Sequence, residues 1–117
     1  FHYALGQEFA PLRDDGVLIV GSGNIVHNLR LFDFHATQPA DWAARADGII
    51  RARIDSGDHA GLIDWNALGP EVVRGIPTPE HYLPLLYTLA LRGNSDPVRT
   101  FNTTVISAIS MTCVQVG

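Results

Sequence analysis

Cysteine and long apolar runs are nearly absent from this chain. Only one of its 117 residues is a cysteine, Cys113, so an intrachain disulfide framework is excluded and a thiolate metal site has no support. No apolar run approaches the roughly 18 residues that a membrane helix needs. The residues that follow Phe1 do not resemble a cleavable signal. These absences predict a soluble, cytoplasmic protein with no membrane partner.

Basic residues are also scarce. Eight Lys and Arg stand against 12 Asp and Glu, which gives a formal net charge of -4, and the basic residues are scattered along the chain. Nucleic acid is therefore excluded as an expected partner. The hydrophobic content of 46% is enough for one modest core, so the composition predicts one domain or half of a larger one.

The apolar spacing predicts an α/β chain. The run Val-Leu-Ile-Val at residues 17–20 is typical of a strand that has helices on both faces and parallel neighbours on both sides. Asp41 is the expected N-cap of a long helix, and Pro84 is expected either to kink a second one or to move its start downstream. Helices are predicted at residues 2–13, 41–54, 60–68 and 78–93, loops at residues 33–40 and 69–77, and paired strands at residues 98–105 and 106–116.

A glycine turn, Gly21-Ser22-Gly23, follows the first predicted strand. It begins like the dinucleotide motif G-x-G-x-x-G, but Val26 occupies the third glycine position, where a side chain obstructs close packing of helix on strand. No Gly-Lys-Ser/Thr follows, so a P-loop is excluded. A nucleotide site therefore remains only as a weak alternative.

His27 lies just beyond this turn with Asn24 and Asn28 beside it, at the end of a strand where α/β sheets place their ligands. The alternative is a histidine that is satisfied by a backbone carbonyl. Arg30 is expected either to anchor a carboxylate there or to pair with a surface acid.

His81 lies close to the expected start of the helix at residues 78–93. The positive end of a helix dipole disfavours imidazolium, and the neutral ring is the form that binds metals. His27 and His81 are 54 positions apart, so spacing alone leaves a shared metal site open.

Three segments carry a family resemblance: "LRDDGVLIVGSGNIVHNLR", "PTPEHYLPLLYTLA" and the closing "SMTCVQVG". Together they resemble the C-terminal half of the class III extradiol ring-cleavage dioxygenases, in the DOPA 4,5-dioxygenase branch. The resemblance implies that residues 1–117 form the C-terminal half of a single catalytic domain. It also implies a three-layer α/β/α fold with a mostly parallel central sheet, of which this chain would hold only the C-terminal part.

The same resemblance implies a mononuclear non-haem iron(II) site, in which zinc can replace iron in crystals. His81 matches a metal-ligand position, His27 matches either a further ligand or the acid-base residue, and Asn24 and Asn28 would orient His27 or contact substrate. Two further histidines would come from motifs of the types G-H-G-S-P and S-A-H-W in a missing N-terminal half. The expected substrates are a catechol and O2. The alternative is an inactive C-terminal fragment or a non-enzymatic α/β module with structural histidines.

Overall fold

The core forms around helix α3 (Asp41–Ser56) in the computed structural model, which describes residues 1–117. Ala43, Ala46, Ile50 and Ile54 recur at helical spacing and are completely buried, as the apolar pattern predicts. The helix ends at Gly57, whose φ of 71° places it in the left-handed region that favours glycine after a helix. The prediction at residues 41–54 is therefore confirmed.

The start of α3 differs from expectation in one detail. Ala40 takes the N-cap position with an extended backbone, and Asp41 is the first helical residue. Asp41 makes no capping hydrogen bond, so the predicted N-cap role is wrong. Its carboxylate instead lies in the first helical turn, where the helix dipole favours negative charge.

The remaining helices are short, and those at residues 59–63 and 70–75 pack against α3. The predicted helix at residues 2–13 is split near Pro11, which lacks the N–H that a continuous helix would use. The predicted loop at residues 69–77 contains a helix instead, because Pro70 suits a first turn and Val72 is fully buried. The helices are α1 (His2–Gln7), α2 (Pro11–Asp14), α4 (His59–Ile63), α5 (Pro70–Gly75) and α6 (Leu83–Ala90), with 3-10 turns at Leu29–Leu31 and Trp65–Ala67.

The last twenty residues form an antiparallel hairpin, as the alternating pattern predicts. Strand β1 (Val98–Phe101) pairs with β4 (Cys113–Val116), and β2 (Val105–Ile106) pairs with β3 (Ile109–Ser110). All four strands lie in two-stranded antiparallel sheets, so the chain contains no parallel pair. The coarse α/β class is confirmed, whereas the mostly parallel central sheet is not found within these residues.

The predicted strand at residues 17–20 is not formed. Its side chains are apolar as expected, but no neighbouring strand of this chain pairs with it, and Leu18 and Val20 are 85% and 77% exposed. No backbone N–H or C=O of residues 18–23 makes a hydrogen bond. A strand needs a partner for these groups, and this chain does not provide one.

The longest helix has 16 residues, and none of the helices has the length and apolar character needed to cross a bilayer.

Candidate functional site

The glycine turn packs directly against the segment that leads into α6. The Asn24 N–H donates to the His81 carbonyl oxygen over 2.9 Å. A side chain at Gly23 would collide with that same oxygen, and one at Gly21 would come within 3.0 Å of the Pro84 carbonyl oxygen. Both glycines are thus explained by close backbone approach.

This geometry argues against the nucleotide alternative. The dinucleotide motif requires a helix whose N-terminus opens directly after the glycine turn. The chain instead forms an isolated bridge between His27 and Ile109, followed by the 3-10 turn at Leu29–Leu31.

His27 is held by its backbone between two elements. Its N–H donates to the Gly75 carbonyl oxygen at the end of α5 over 2.8 Å, and its bridge to Ile109 ties it to the hairpin. The preceding Val26 is completely buried in the core. The imidazole therefore extends from a fixed backbone, and its ring is only partly exposed.

His81 is exposed and lies two residues before α6. The helix begins at Leu83 with Pro84 in its first turn. Of the two effects expected of Pro84, the downstream shift of the helix start is therefore the one observed. Thr78 does not cap it, since its hydroxyl lies 2.6 Å from a carboxylate oxygen of Glu80. The neighbouring Tyr82 is buried and donates to the Leu62 carbonyl oxygen over 2.9 Å, which anchors the segment that carries His81.

The His27 and His81 rings are stacked, with their centroids 3.8 Å apart and their planes 17° from parallel. Burial lowers the pKa of His27, and the charge of His81 lowers it further, while Glu80 acts in the opposite direction. Two imidazolium rings at this separation would repel each other, so at least one ring is neutral at pH 7. A neutral imidazole has a free nitrogen lone pair and can bind a metal.

The pair is compatible with a metal centre after a small rearrangement. Two imidazoles bound to one tetrahedral ion have ring centres about 5 Å apart, for metal–nitrogen bonds of about 2.0–2.1 Å. The rings would thus splay by roughly 1 Å from the stacked arrangement. Imidazole nitrogens are ligands for both iron(II) and zinc. No group of three or more His, Cys, Asp or Glu side chains in this chain is placed to hold a metal, so the pair is at most part of a ligand set.

Asn24 and Asn28 hold backbone segments together. The Asn24 amide donates to the Ser110 carbonyl oxygen over 2.8 Å, and the Asn28 amide donates to the Arg74 carbonyl oxygen over 2.7 Å. Neither side chain hydrogen-bonds to the His27 ring. Asn28 Oδ1 is buried and has no partner. A contact from either residue to His27 or to substrate stays a prediction.

A cleft of about 260 Å³ opens beside the histidine pair. Its charged side chains are those of Arg30 and Glu80, and the two imidazoles lie beside them. The hydrogen bond from Thr78 lowers the pKa of Glu80, whose carboxylate is therefore ionised at neutral pH. The cleft is lined by His27, Asn28, Leu29, Arg30, Pro77, Thr78, Glu80 and His81.

A buried carboxylate is linked to the site through hydrogen bonds. The sequence patterns did not predict it. Asp47 lies in the apolar face of α3, and its Oδ1 accepts hydrogen bonds from the hydroxyls of Ser110 and Thr112, each over 2.7 Å. Ser110 in turn holds Asn24. The one available signal was an aspartate at helical spacing within the row of buried alanines and isoleucines, because such a residue must find partners.

The other histidines lie outside the pair. His59 Nδ1 shares a hydrogen bond with the Tyr3 hydroxyl, His2 Nδ1 shares one with the Tyr87 hydroxyl over 3.0 Å, and His35 is exposed.

Comparison with known proteins gives named relatives. No protein-family model matches the chain. A protein of Escherichia coli K12 named 4,5-DOPA dioxygenase extradiol is 33% identical over 124 aligned positions, which cover the whole chain and 45% of that relative. A protein of the same name from Beta vulgaris is 33% identical over 95 positions, covering 81% of the chain and 35% of the relative.

A crystal structure of an uncharacterized protein from Escherichia coli K12 superimposes with a TM-score of 0.89 at 33% identity, over 99% of this chain and 49% of that one. The chain thus spans about half the length, or less, of the relatives it matches. This coverage is consistent with the C-terminal half of such a protein.

Proposed function

Because this chain is a homologue, along its whole length, of proteins named 4,5-DOPA dioxygenase extradiol, we propose that the full-length protein opens a catecholic ring with O2. The cleaved bond lies beside the diol, and both oxygen atoms enter the product. The proposed cofactor is a single iron(II) ion, for which zinc can substitute without supporting the chemistry.

The contact between His27 and His81 carries this proposal. The two side chains are 54 positions apart in sequence, yet their ring centres lie 3.8 Å apart beside an open cleft. His27 is held by a backbone hydrogen bond to Gly75 at the end of α5, and His81 accepts one from Asn24, whose amide donates to Ser110 in the hairpin. Metal sites depend on ligands that are positioned in this way before the ion binds.

His81 is the proposed metal ligand, because its ring is exposed beside the cleft. His81 would hold the iron(II) ion, which would supply Lewis acidity and a redox centre for the reaction of a catechol with O2. His27 is partly buried and its pKa is lowered, so at neutral pH it is ready to accept the proton from a phenolic oxygen of the substrate. As imidazolium, it would later return that proton to the reacting oxygen. A role for His27 as a further ligand is the alternative.

The three-layer architecture with a mostly parallel sheet belongs to the same proposal. Residues 17–20 would then be one of its strands, with neighbours supplied by the rest of the protein. The unpaired backbone of residues 18–23 and the exposed apolar side chains beside it support this assignment.

Metal binding by single-histidine variants tests the proposal. In the full-length protein, His81→Ala is expected to lose iron and ring-opening activity together, measured by anaerobic titration with ferrous iron and by the absorbance of the ring-opened product. His27→Ala is expected to keep iron and lose activity if His27 moves the proton, or to lose both if it is a ligand. His35→Ala is the matched control, since His35 is exposed and its side chain makes no hydrogen bond.

Iron binding by the isolated 117-residue chain is a second test of the proposal. Two imidazoles alone should bind iron weakly, and adding the remainder of the protein should restore tight binding and activity. Full iron occupancy and an unchanged rate in His81→Ala would contradict the role of His81 as a ligand. Absence of both iron binding and ring opening in the unmodified full-length protein would favour a module with structural histidines.

A further inference from the structure

Arg30 is the one basic side chain of this chain that has no partner. All eight basic residues are arginines. Arg74 stacks over the Trp42 ring at 4.8 Å, and Arg99 donates to Gln115. Arg92 donates to a backbone carbonyl. The four that pair with carboxylates are Arg13, Arg45, Arg51 and Arg53. Arg30 makes no hydrogen bond, ion pair or aromatic contact, although 12 acidic residues are available in the chain.

Arg30 is one of the residues that line the cleft beside the histidine pair. The backbone that leads to it is anchored, because Asn28, two residues earlier, is buried and bonded through its backbone N–H to Ala108 and through its amide to Arg74. The only carboxylate that lines the cleft, Glu80, is held by Thr78. Arg30 thus contributes an unpaired positive charge to the lining of the cleft, in a chain whose net charge is -4.

We infer that Arg30 is a specificity-determining residue which binds an anionic substituent of the aromatic substrate, such as a carboxylate on a short side chain. The inference rests on the proposed function, because it assumes that the ring enters this cleft. A guanidinium offers two parallel N–H donors that match a carboxylate. The cleft volume of about 260 Å³ is close to the lower end of the range for small-molecule sites and suits one ring with a short substituent.

The test compares two substrates that differ in charge and by a single methyl group. They are a catechol that carries a propionate side chain and the methyl ester of the same compound, each supplied to the iron-loaded full-length protein. Arg30→Gln is expected to raise KM for the propionate about 10- to 100-fold, since a charge-assisted pair is lost, and to leave KM for the ester and both kcat values nearly unchanged. Arg30→Lys should recover part of the loss. Arg99→Gln is the control, because Arg99 lies on the hairpin and outside the cleft.

A binding measurement without chemistry separates this inference from the proposed function. Phenylpropionate has no diol and cannot be cleaved, so its binding can be followed by titration monitored by nuclear magnetic resonance in the metal-free full-length protein. The wild type is expected to bind it at least ten times more tightly than Arg30→Gln does.

Absence of ring opening with both catechols, with this difference intact, would overturn the enzymatic proposal and keep the anion site. Equal binding of phenylpropionate by both proteins, or an equal rise in KM for acid and ester, would overturn the role of Arg30.

Discussion

Two regions of the molecule differ in how many of their side chains and backbone groups find partners within this chain. Around α3, the side chains of Ala46, Ile50 and Ile54 are completely buried, and even the carboxylate of Asp47 has three hydrogen-bond partners. Residues 17–23, which we call the open segment, present apolar side chains to solvent and leave the backbone of residues 18–23 without hydrogen bonds. Both regions are rich in apolar residues, so composition does not account for the difference.

What distinguishes them is the source of their partners. Helix α3 forms its own backbone hydrogen bonds, and α5 and the hairpin, from the same chain, cover its apolar face. An extended segment must obtain its backbone partners from other strands, and this chain supplies none for residues 18–23. The histidine pair lies where the two regions meet, because Gly23 belongs to the open segment and contacts His81, while His27 joins α5 and the hairpin.

The largest expected change in the free energy of unfolding comes from replacing Asp47 in the buried region around α3. Replacing Asp47 by Ala leaves Ser110, Thr112 and the Arg51 guanidinium without their shared acceptor. Each of the two buried hydroxyls left without its acceptor costs about 1–3 kcal/mol, so the total loss is expected to be about 2–6 kcal/mol. Urea unfolding of the chain, followed by circular dichroism, measures the loss. Asp55→Ala on the same helix is the control, because Asp55 is exposed and should change the free energy of unfolding by less than about 0.5 kcal/mol.

The junction of the two regions should be the next most sensitive place. Gly23→Ala adds a methyl group that collides with the His81 carbonyl oxygen, so the bond from Asn24 to His81 must open. A steric conflict with backbone is expected to cost about 2–4 kcal/mol. Gly48→Ala on α3 adds the same group where nothing lies within 4 Å, and should stabilise the chain by about 0.5–1 kcal/mol. Equal effects of the two variants would show that the contact between Gly23 and His81 is unimportant.

The sequence patterns were informative where local chemistry decides structure. The helix at residues 41–54 was predicted within two residues because its apolar spacing and terminal glycine act within the helix itself. The loop predicted at residues 69–77 was wrong because burial of Val72 stabilises a six-residue helix that has little local pattern. The strand at residues 17–20 failed for the opposite reason, since its local pattern is typical of a strand but no strand of this chain pairs with it.

The candidate site was only partly accessible from sequence. His27 and His81 each stood in an informative context, but no spacing indicates that residues 54 positions apart meet. Their shared site was implied by the resemblance, and the structure adds the measured ring contact. Asp47 was missed because a single polar residue inside an apolar helix face weakens the pattern instead of forming one. The asparagines were expected beside the His27 ring, yet their amides hold backbone carbonyls, which no local rule indicates.

A smaller effect is expected from pH at the junction. Burial, and then the charge of His81, lower the pKa of His27 in the folded chain below the ordinary value of 6.5. The folded state therefore prefers the neutral ring, so this stabilisation is fully present above pH 6.5 and is lost as pH falls through the lowered folded pKa. His59 acts in the same direction, chiefly because it is buried.

Urea midpoints measured between about pH 5 and pH 8 should thus decline on the acid side. His27→Gln should flatten the curve in part, whereas His35→Gln, at an exposed position, should not. A curve for His27→Gln that parallels that of the unmodified chain would remove the pKa argument for a neutral His27.

The smallest expected change in stability comes from Leu18 in the open segment, and it gives the most direct test of whether that segment is covered in the full-length protein. Leu18 is 85% exposed, so Leu18→Ser should change the free energy of unfolding of the 117-residue chain by less than about 0.5 kcal/mol. If the rest of the full-length protein covers the open segment, the same substitution there removes a buried leucine and should cost about 2–3 kcal/mol. Ile50→Ala, in the covered core, should instead cost about 2–5 kcal/mol in both proteins. The ratio of the two costs for Leu18→Ser therefore reports directly on whether the open segment acquires neighbours. An equally small cost in both proteins would show that residues 17–23 stay uncovered, and the proposed parallel sheet would then have to be abandoned.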